Sequence, residues 1–343
     1  MKLLVTGGAG FIGSNFIKYI MRRRGDLEIV CLDKLTYAGD LASLYEVWDN
    51  SKFRFVKGDI ADSGFIDALF EKETFDAVVN FAAESHVDRS IESSLDFLRS
   101  NVLGTGVLLD ACVKYGNIRF HQVSTDEVYG DLSLERKDLA FCETSPLRPS
   151  SPYSSSKAGA DLLTLSYYRT HCLPVTISRC GNNFGANQFP EKLIPLMIVK
   201  ALNNENLPLY GNGLNVRDWI YVEDHCSAIE TILYGGRAGE VYNVGANIER
   251  SNIDVVKTIL TMLGRDEKLI TYVKDRKGHD LRYALDTSKI RSKLGWTPTV
   301  GFEDGMDMTL RWYLDNVSWL NDITSGEYVE NNERMLQKTA RLK

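Results

Sequence analysis

The chain has 343 residues, 44% of them hydrophobic and 25% charged, with a formal net charge of −6. That length supports one large domain or two interlocked ones around a sizeable core. The acidic balance argues against a general nucleic-acid or anionic-membrane binder, since both need a positive field to attract polyanions. Six scattered cysteines with no C-x-x-C pair and five dispersed histidines give no sign of a disulfide framework or of zinc-type ligand spacing, so no metal is expected. No apolar run approaches the roughly 20 residues of a bilayer span, and the start Met1-Lys2-Leu3-Leu4-Val5-Thr6-Gly7-Gly8 is too short for a signal peptide. A reducing cytoplasm is the expected compartment.

In chain order, short apolar β-branched runs at 2–6, 28–33, 53–56, 77–82, 119–124 and 175–179 alternate with helix-length stretches such as 14–24 and 63–72. Runs buried on both faces and separated by helices predict βαβ units, hence an α/β fold with a Rossmann-type doubly wound parallel sheet. Past Cys180 the alternation breaks into Gly-, Asn- and Pro-rich stretches at 181–190 and 208–215. Residues 1–180 are expected to form a dinucleotide-binding domain, with a segment near 216–246 returning to it and carrying a strand at 241–245. Residues 181–343 then form mainly a smaller substrate-binding domain, interleaved with the first. The tail from Asn321 is polar and reads as a surface helix or a frayed end.

Between the first strand and the first helix stands Gly7-Gly8-Ala9-Gly10-Phe11-Ile12-Gly13. Glycines at 7, 10 and 13 let such a loop turn tightly, bring backbone N–H groups to a pyrophosphate and aim the positive end of a helix at it. Asp33 ends the second strand twenty residues after Gly13, where a carboxylate accepts from both ribose hydroxyls of NAD and repels the 2′-phosphate of NADP. Lys34, its neighbour, would soften that discrimination. Asp59 and Ile60, and Phe81, Ala82 and Ala83, follow the third and fourth strands, where open parallel sheets bind ligands.

Tyr153-Ser154-Ser155-Ser156-Lys157 opens a helical stretch at 158–169. Residues four apart share one helix face, so Tyr153 and Lys157 can address one spot. Lowering a tyrosine from about 10 to about 7 costs roughly 4 kcal/mol, which one ammonium about 4 Å away at an effective dielectric of 20 supplies. Lys157 is therefore expected to make Tyr153 a base. After the fifth strand comes Val123-Ser124-Thr125-Asp126-Glu127-Val128-Tyr129-Gly130. Asp126 and Glu127 would face opposite sides of a regular strand, so a shared role requires them to lie just past its end. Two neighbouring carboxyls whose environments push their pKa values apart can act as acid and base.

These strings resemble the extended short-chain dehydrogenases/reductases and, within them, the dTDP-glucose 4,6-dehydratases. The resemblance spans the chain and extends to Asp33-Lys34-Leu35-Thr36-Tyr37-Ala38-Gly39, Ala82-Ala83-Glu84-Ser85-His86, Phe189-Pro190-Glu191-Lys192-Leu193, Leu207-Pro208-Leu209-Tyr210-Gly211, Val216-Arg217-Asp218-Trp219 and Asp275-Arg276-Lys277-Gly278-His279. It implies a tightly held NAD and a catalytic set of Thr125, Asp126, Glu127, Tyr153 and Lys157. It adds Leu35, Thr36, Ser85, Ser100 and Asn183 to the cofactor contacts. For a nucleotide-sugar substrate it implies Lys192, Arg217, Arg276 and His279 near phosphates or ribose, and Pro208, Leu209 and Tyr210 as a wall for the pyrimidine. Ser85, Thr125, Asn182, Glu191, Leu193 and Asn252 complete that set. Bland alternatives remain for some: Asn252 could cap a helix, and Arg217 could pair with Asp218 on the surface. A homodimer through helices near 94–113 and 152–170 is also implied.

One segment departs from the family, which usually reads Ser-Asn-Asn-Tyr-Gly-Pro-Tyr where this chain has Gly181-Asn182-Asn183-Phe184-Gly185-Ala186-Asn187. The base and hexose are therefore less firmly fixed than the reaction. A 4-epimerase or decarboxylase of nucleotide sugars, or the same dehydration on a UDP- or CDP-hexose, is the alternative. A non-catalytic NAD sensor is a third, against which stands the full catalytic set.

Overall fold

The computed structural model describes residues 1–341. Its first six strands are β1 (Lys2–Thr6), β2 (Glu28–Asp33), β3 (Phe53–Lys57), β4 (Ala77–Asn80), β5 (Arg119–Thr125) and β6 (Val175–Cys180). Then come β7 (Asn182–Phe184), β8 (Leu207–Tyr210), β9 (Val216–Tyr221), β10 (Glu240–Val244), β11 (Glu249–Ser251) and β12 (Ile270–Val273). One sheet has the order β10-β6-β5-β4-β1-β2-β3, and every pairing in it is parallel. The period of two sorts its side chains to opposite faces. Leu3 and Val5 join Phe16, Ile17 and Ile20 of the helix Phe11–Arg23, whereas Leu4 joins Leu108, Leu109 and Cys112 of the helix Thr105–Lys114. Helices cover both faces, which is why the strand sequences are continuously apolar rather than alternating.

The strand order reverses between β1 and β4: the chain winds outward through β2 and β3, then crosses back. Connections diverging from such a switch point leave a crevice beyond the C-terminal ends of the strands. The strand expected at 241–245 does return, as β10 on β6, and the preceding helix Val222–Gly235 packs Val222, Cys226, Ile229 and Leu233 into the same cluster as the first helix.

Beyond β6, β9 pairs with β7 and β11, and β8 with β12. The helices Leu193–Leu202, Asn252–Met262 and Phe302–Asp315 enclose a second apolar cluster with Phe184, Ile198, Trp219, Val256 and Met306. The polar tail is helical, as Val317–Ser325 and Tyr328–Arg341, and it is not a frayed end where it begins. Trp319, Leu320, Ile323 and Tyr328 are buried in that second cluster. Among the described residues no helix is long and apolar enough to cross a membrane.

Candidate active site

The crevice at the switch point is a cavity of about 330 Å³. Gly7 has φ +68°, and a Cβ on it would collide with the backbone of Phe81 and Ala82; one on Gly13 would strike the Gly7 carbonyl. The tight turn brings Gly10, Phe11, Ile12 and Gly13 onto the cavity wall. The first turn of the helix carries neither a side-chain cap nor an acidic residue, so its backbone N–H groups and positive end remain available to a diphosphate.

Asp33 accepts from the Ala9 N–H at 2.9 Å and from the Leu35 N–H at 2.8 Å. Burial pushes its carboxyl upward and these N–H groups oppose the shift. Lone pairs remain for a ribose diol, because an ionised carboxylate offers about four acceptor sites. Lys34 is engaged with Asp59, 2.9 Å away, and Arg99 stands 3.7 Å from the same oxygen. Burial works against ionisation of Asp59, yet the Ala61 N–H and Lys34 hold it below the usual carboxylate range. A glycine cradle that any Cβ would fill, with a carboxylate at the ribose position, fits a dinucleotide lacking a 2′-phosphate.

Thr36, Ile60, Phe81, Ala82, Ala83, Ser85, Ser100 and Asn183 also line the cavity. Leu35 does not: with φ +57° it turns its side chain onto the core beneath the first helix and offers only backbone. Ser100 lies on a π-helical stretch, Leu98–Gly104, inside the helix expected at 94–113. The neighbouring Asn101 bonds both backbone groups of Glu84, at 2.8 and 3.0 Å, and the Ser156 hydroxyl at 2.8 Å. The wider turn thus ties the loop after β4 to the helix that carries Tyr153.

That helix, Pro152–His171, starts where Ser151 accepts from the Ser154 N–H at 3.1 Å, with Pro152 in its first turn. Tyr153 and Lys157 follow one turn apart, and both face the cavity. Lys157 Nζ donates to the Val123 carbonyl at 2.7 Å, and a buried Arg179–Asp161 ion pair of 2.8 Å ties the helix to β6. The expectation that Lys157 alone lowers Tyr153 is not met. Burial drives the phenol well above its usual value, Glu127, Cys180 and Asp126 add to this, and a hydrogen bond with Thr125 opposes it. Burial also lowers Lys157. Further positive charge in the cleft is needed to bring the phenol towards neutrality.

β5 ends at Thr125 and a 3₁₀ turn, Asp126–Tyr129, follows, so both carboxyls lie past the strand. Thr125 Oγ1 accepts from the Glu127 N–H at 3.3 Å and sits 3.2 Å from Asp126 Oδ1. Asp126 is 2% exposed, and its Oδ2 has no hydrogen-bond partner among the described residues. Burial, then Glu127, push its carboxyl well above the usual range. Burial raises Glu127 too, but Arg276, Arg217 and Lys192 pull it back. Both carboxyls are raised, but only Glu127 has three cations opposing the shift, an asymmetry that suits an acid beside a base.

On the other wall are Asn182, Glu191 and Lys192. Lys192 Nζ donates to the Ser85 carbonyl at 2.8 Å, and Glu191 accepts from the Tyr37 hydroxyl at 2.9 Å. Arg217 is buried over the Tyr283 ring, 4.3 Å from its centre, and donates to the Asp280 carbonyl at 2.9 Å. It does not pair with Asp218, which faces the other side of β9 and accepts from the N–H groups of Ile248 and Asn247. His279 bonds Asp275 at 2.6 Å and meets Tyr210 edge-on at 6.2 Å.

Pro208, Tyr210, Arg217, Asn252, Arg276 and His279 stand beyond the cavity wall, as do Leu193 and Leu209. The last two are corrected: along β8 Leu207 and Leu209 face the second apolar cluster, on which Leu193 also packs, and only Pro208 and Tyr210 turn outward. Nor does Asn252 cap its helix; Ser251 does, accepting from the Asp254 N–H at 3.2 Å. Sequence reasoning missed Ala38, Gly39, Glu84, Cys180, Gln188 and Phe189 on the wall. It also missed how the divergent loop is held. Asn15 donates to the Ala186 carbonyl at 2.8 Å and the buried Lys18 to Asn187 Oδ1 at 2.6 Å, while Asn187 takes φ +65°.

The family model described as GDP-mannose 4,6 dehydratase matches residues 4–309. The dTDP-glucose 4,6-dehydratase of Neisseria meningitidis serogroup B is 48% identical over 347 aligned positions, covering 95% of this chain and 97% of that protein. The crystal structure of dTDP-glucose 4,6-dehydratase from Bacillus anthracis in complex with NAD matches with a TM-score of 0.88 at 47% identity, covering 94% of this chain and 99% of that one. DesIV, the dTDP-glucose 4,6-dehydratase of Streptomyces venezuelae solved with NAD bound, matches with a TM-score of 0.89 at 48% identity, covering 93% and 98%. In fold and in sequence, the chain belongs to the GDP-mannose 4,6 dehydratase family and, within it, to the dTDP-glucose 4,6-dehydratases.

Proposed function

We propose that this protein is an NAD-dependent dTDP-glucose 4,6-dehydratase, which converts dTDP-glucose to dTDP-4-keto-6-deoxyglucose and water. The observation that carries the reading is the turn Thr125-Asp126-Glu127 sharing one cavity with Tyr153, Lys157 and the glycine cradle. NAD held by Gly7, Gly10, Gly13 and Asp33 would supply the hydride acceptor for carbon 4, the donor for carbon 6 and a positive ring beside the phenol.

Tyr153, bonded to Thr125 and followed one turn on by Lys157, takes the hydroxyl proton at carbon 4. The resulting ketone acidifies carbon 5, and Glu127, whose carboxylate form Arg276, Arg217 and Lys192 favour against its burial, takes that proton. Asp126, kept protonated by burial, protonates the hydroxyl leaving carbon 6. The proton on Glu127 exchanges with solvent, and Glu127 then protonates carbon 5 as carbon 6 is reduced. Asp126 has lost a proton and Tyr153 has gained one, so passage of that proton from Tyr153 to Asp126 between turnovers restores both groups.

Lys192, Arg217, Arg276 and His279 are read as the diphosphate and ribose contacts, Pro208 and Tyr210 as the pyrimidine wall, and Ser85, Asn182 and Glu191 as neighbours of the sugar. Residues 1–180 with 216–246 are read as the cofactor part, and 181–343 as mainly the nucleotide-sugar part. A cytoplasmic site is supported by six unpaired cysteines. A homodimer is supported by Leu98, Leu103 and Leu162, each about half exposed, beside a groove lined by Val102, Gly106 and Leu163.

Turnover of dTDP-glucose in heavy water tests the chemistry. Deuterium is expected at carbon 5 of a 4-keto-6-deoxy product, and its absence would refute proton removal by Glu127. Glu127→Gln should still reduce the cofactor but stall there, so absorbance of reduced NAD persists once substrate is added.

A further inference from the structure

The loop after β2 closes one side of the cofactor cleft: Lys34, Thr36, Ala38 and Gly39 all line it. It is wired into the glycine turn, since the Asp40 N–H donates to the Ala9 carbonyl at 3.0 Å and the Ala9 N–H donates to Asp33. Residues 34–40 form no helix or strand, and such loops open readily unless something holds them. Here the holder comes from the far end of the chain. The Tyr328 hydroxyl donates to the Tyr37 carbonyl at 2.6 Å. Asn332 donates to the Gly39 carbonyl at 3.0 Å and accepts from the Leu41 N–H at 2.8 Å. Trp319 Nε1 donates to Asp40 Oδ2 at 2.6 Å.

Three side chains from one short segment thus grip loop residues Tyr37, Gly39 and Asp40 and the adjoining Leu41, and all three are at most 9% exposed. Asn332, at 6%, is polar and buried, and both its bonds go to loop backbone. A buried amide of this kind is costly unless satisfied, and once satisfied it fixes a single arrangement. The family model ends at residue 309, so the three gripping side chains lie outside the part of the chain it matches.

We propose that the C-terminal helices Val317–Ser325 and Tyr328–Arg341 are a clamp on the cofactor loop, with Trp319, Tyr328 and Asn332 as positioning residues that set how slowly NAD leaves. The inference rests on the NAD-dependent reading above. It gives that reading a physical basis for retention: hydride removed from one sugar must return to the same sugar, so the cofactor must outlast the cycle. Opening the loop to release a dinucleotide requires breaking the clamp first.

The test is the release rate of radiolabelled NAD from the full-length protein, chased with excess unlabelled NAD. Removing one hydrogen bond should speed release roughly three- to tenfold in Tyr328→Phe, and further in Asn332→Leu, which loses two. Asn332→Asp, which keeps the acceptor for Leu41, should fall between wild type and Asn332→Leu. Turnover at saturating NAD and the KM for dTDP-glucose should stay within about twofold, a split that general loosening of the fold would not give. Release rates equal to wild type would overturn the clamp, as would a parallel rise in sugar KM. Tyr328→Phe, a single-oxygen deletion, carries the test if Asn332→Leu does not fold. Wild-type protein that fails to retain labelled NAD would instead overturn the cofactor assignment itself, and the clamp with it.

Discussion

Tyr153 sits in surroundings that resist its ionisation, because burial and the neighbouring Glu127, Cys180 and Asp126 outweigh the Thr125 hydrogen bond. Tyr153→Phe should lower turnover by roughly 10²–10⁴-fold and leave NAD affinity unchanged by fluorescence titration; retained turnover would remove it from the mechanism. Asp126 bears a different cost. Its folded pKa is raised well above the usual carboxylate range, so its effect on stability is nil below the unfolded value of about 4, and a penalty builds as pH rises from there through the folded value. Asp126→Asn should therefore be more stable than wild type at pH 7.5, on the order of 0.5–2 kcal/mol, with the gain vanishing towards about pH 4. Paired thermal melts across that range check the sign. The same substitution should abolish product formation, a trade of stability for chemistry.

At the scale of elements, the first helix does two jobs. Its N-terminal turn faces the cofactor cradle, and one turn further on Asn15 and Lys18 hold the loop at 186–187. That loop is where the family usually has Pro-Tyr, and here two polar tethers do the work of a stiff proline. The segment it steadies carries Asn182, Asn183, Gln188 and Phe189 to the wall, and Gln188 braces Asn183 by donating to its carbonyl at 2.9 Å. Lys18→Met should raise the KM for dTDP-glucose roughly three- to tenfold, the net worth of one ordinary hydrogen bond, with little change in kcat. Unchanged kinetics would mean that Asn15 and the backbone suffice.

For the molecule as a whole, charge and assembly matter most. A chain of net charge −6 gathers Lys192, Arg217 and Arg276 around Glu127, so a dianionic substrate meets a local positive field within an acidic surface. The exposed leucines of the helices at 95–114 and 152–171 form the proposed contact with a second copy. Leu103→Glu should weaken that association by roughly 10²-fold or more, because symmetry brings two new carboxylates together in an apolar groove. Sedimentation velocity at micromolar protein would show a monomer; a persistent dimer would place the interface elsewhere.

The sequence by itself determined the strands of the main sheet, the glycine turn, Asp33 and the catalytic turn and helix. Each is a local pattern: β-branched runs, a glycine spacing, a carboxyl at a strand end, a Tyr and Lys four residues apart. Tertiary structure decided what depends on residues distant in the chain. It raised the Tyr153 phenol by burying it beside the carboxyls of another loop. It turned Leu209 and Leu193 into the core, and it placed Lys18 under a loop nearly 170 residues away. The polar tail read from composition as surface or frayed, since nothing local marks Trp319, Tyr328 and Asn332 as partners of residues 37–41. Hydrogen bonds between segments almost 300 residues apart leave no period or motif behind them, and only the folded chain brings their ends together.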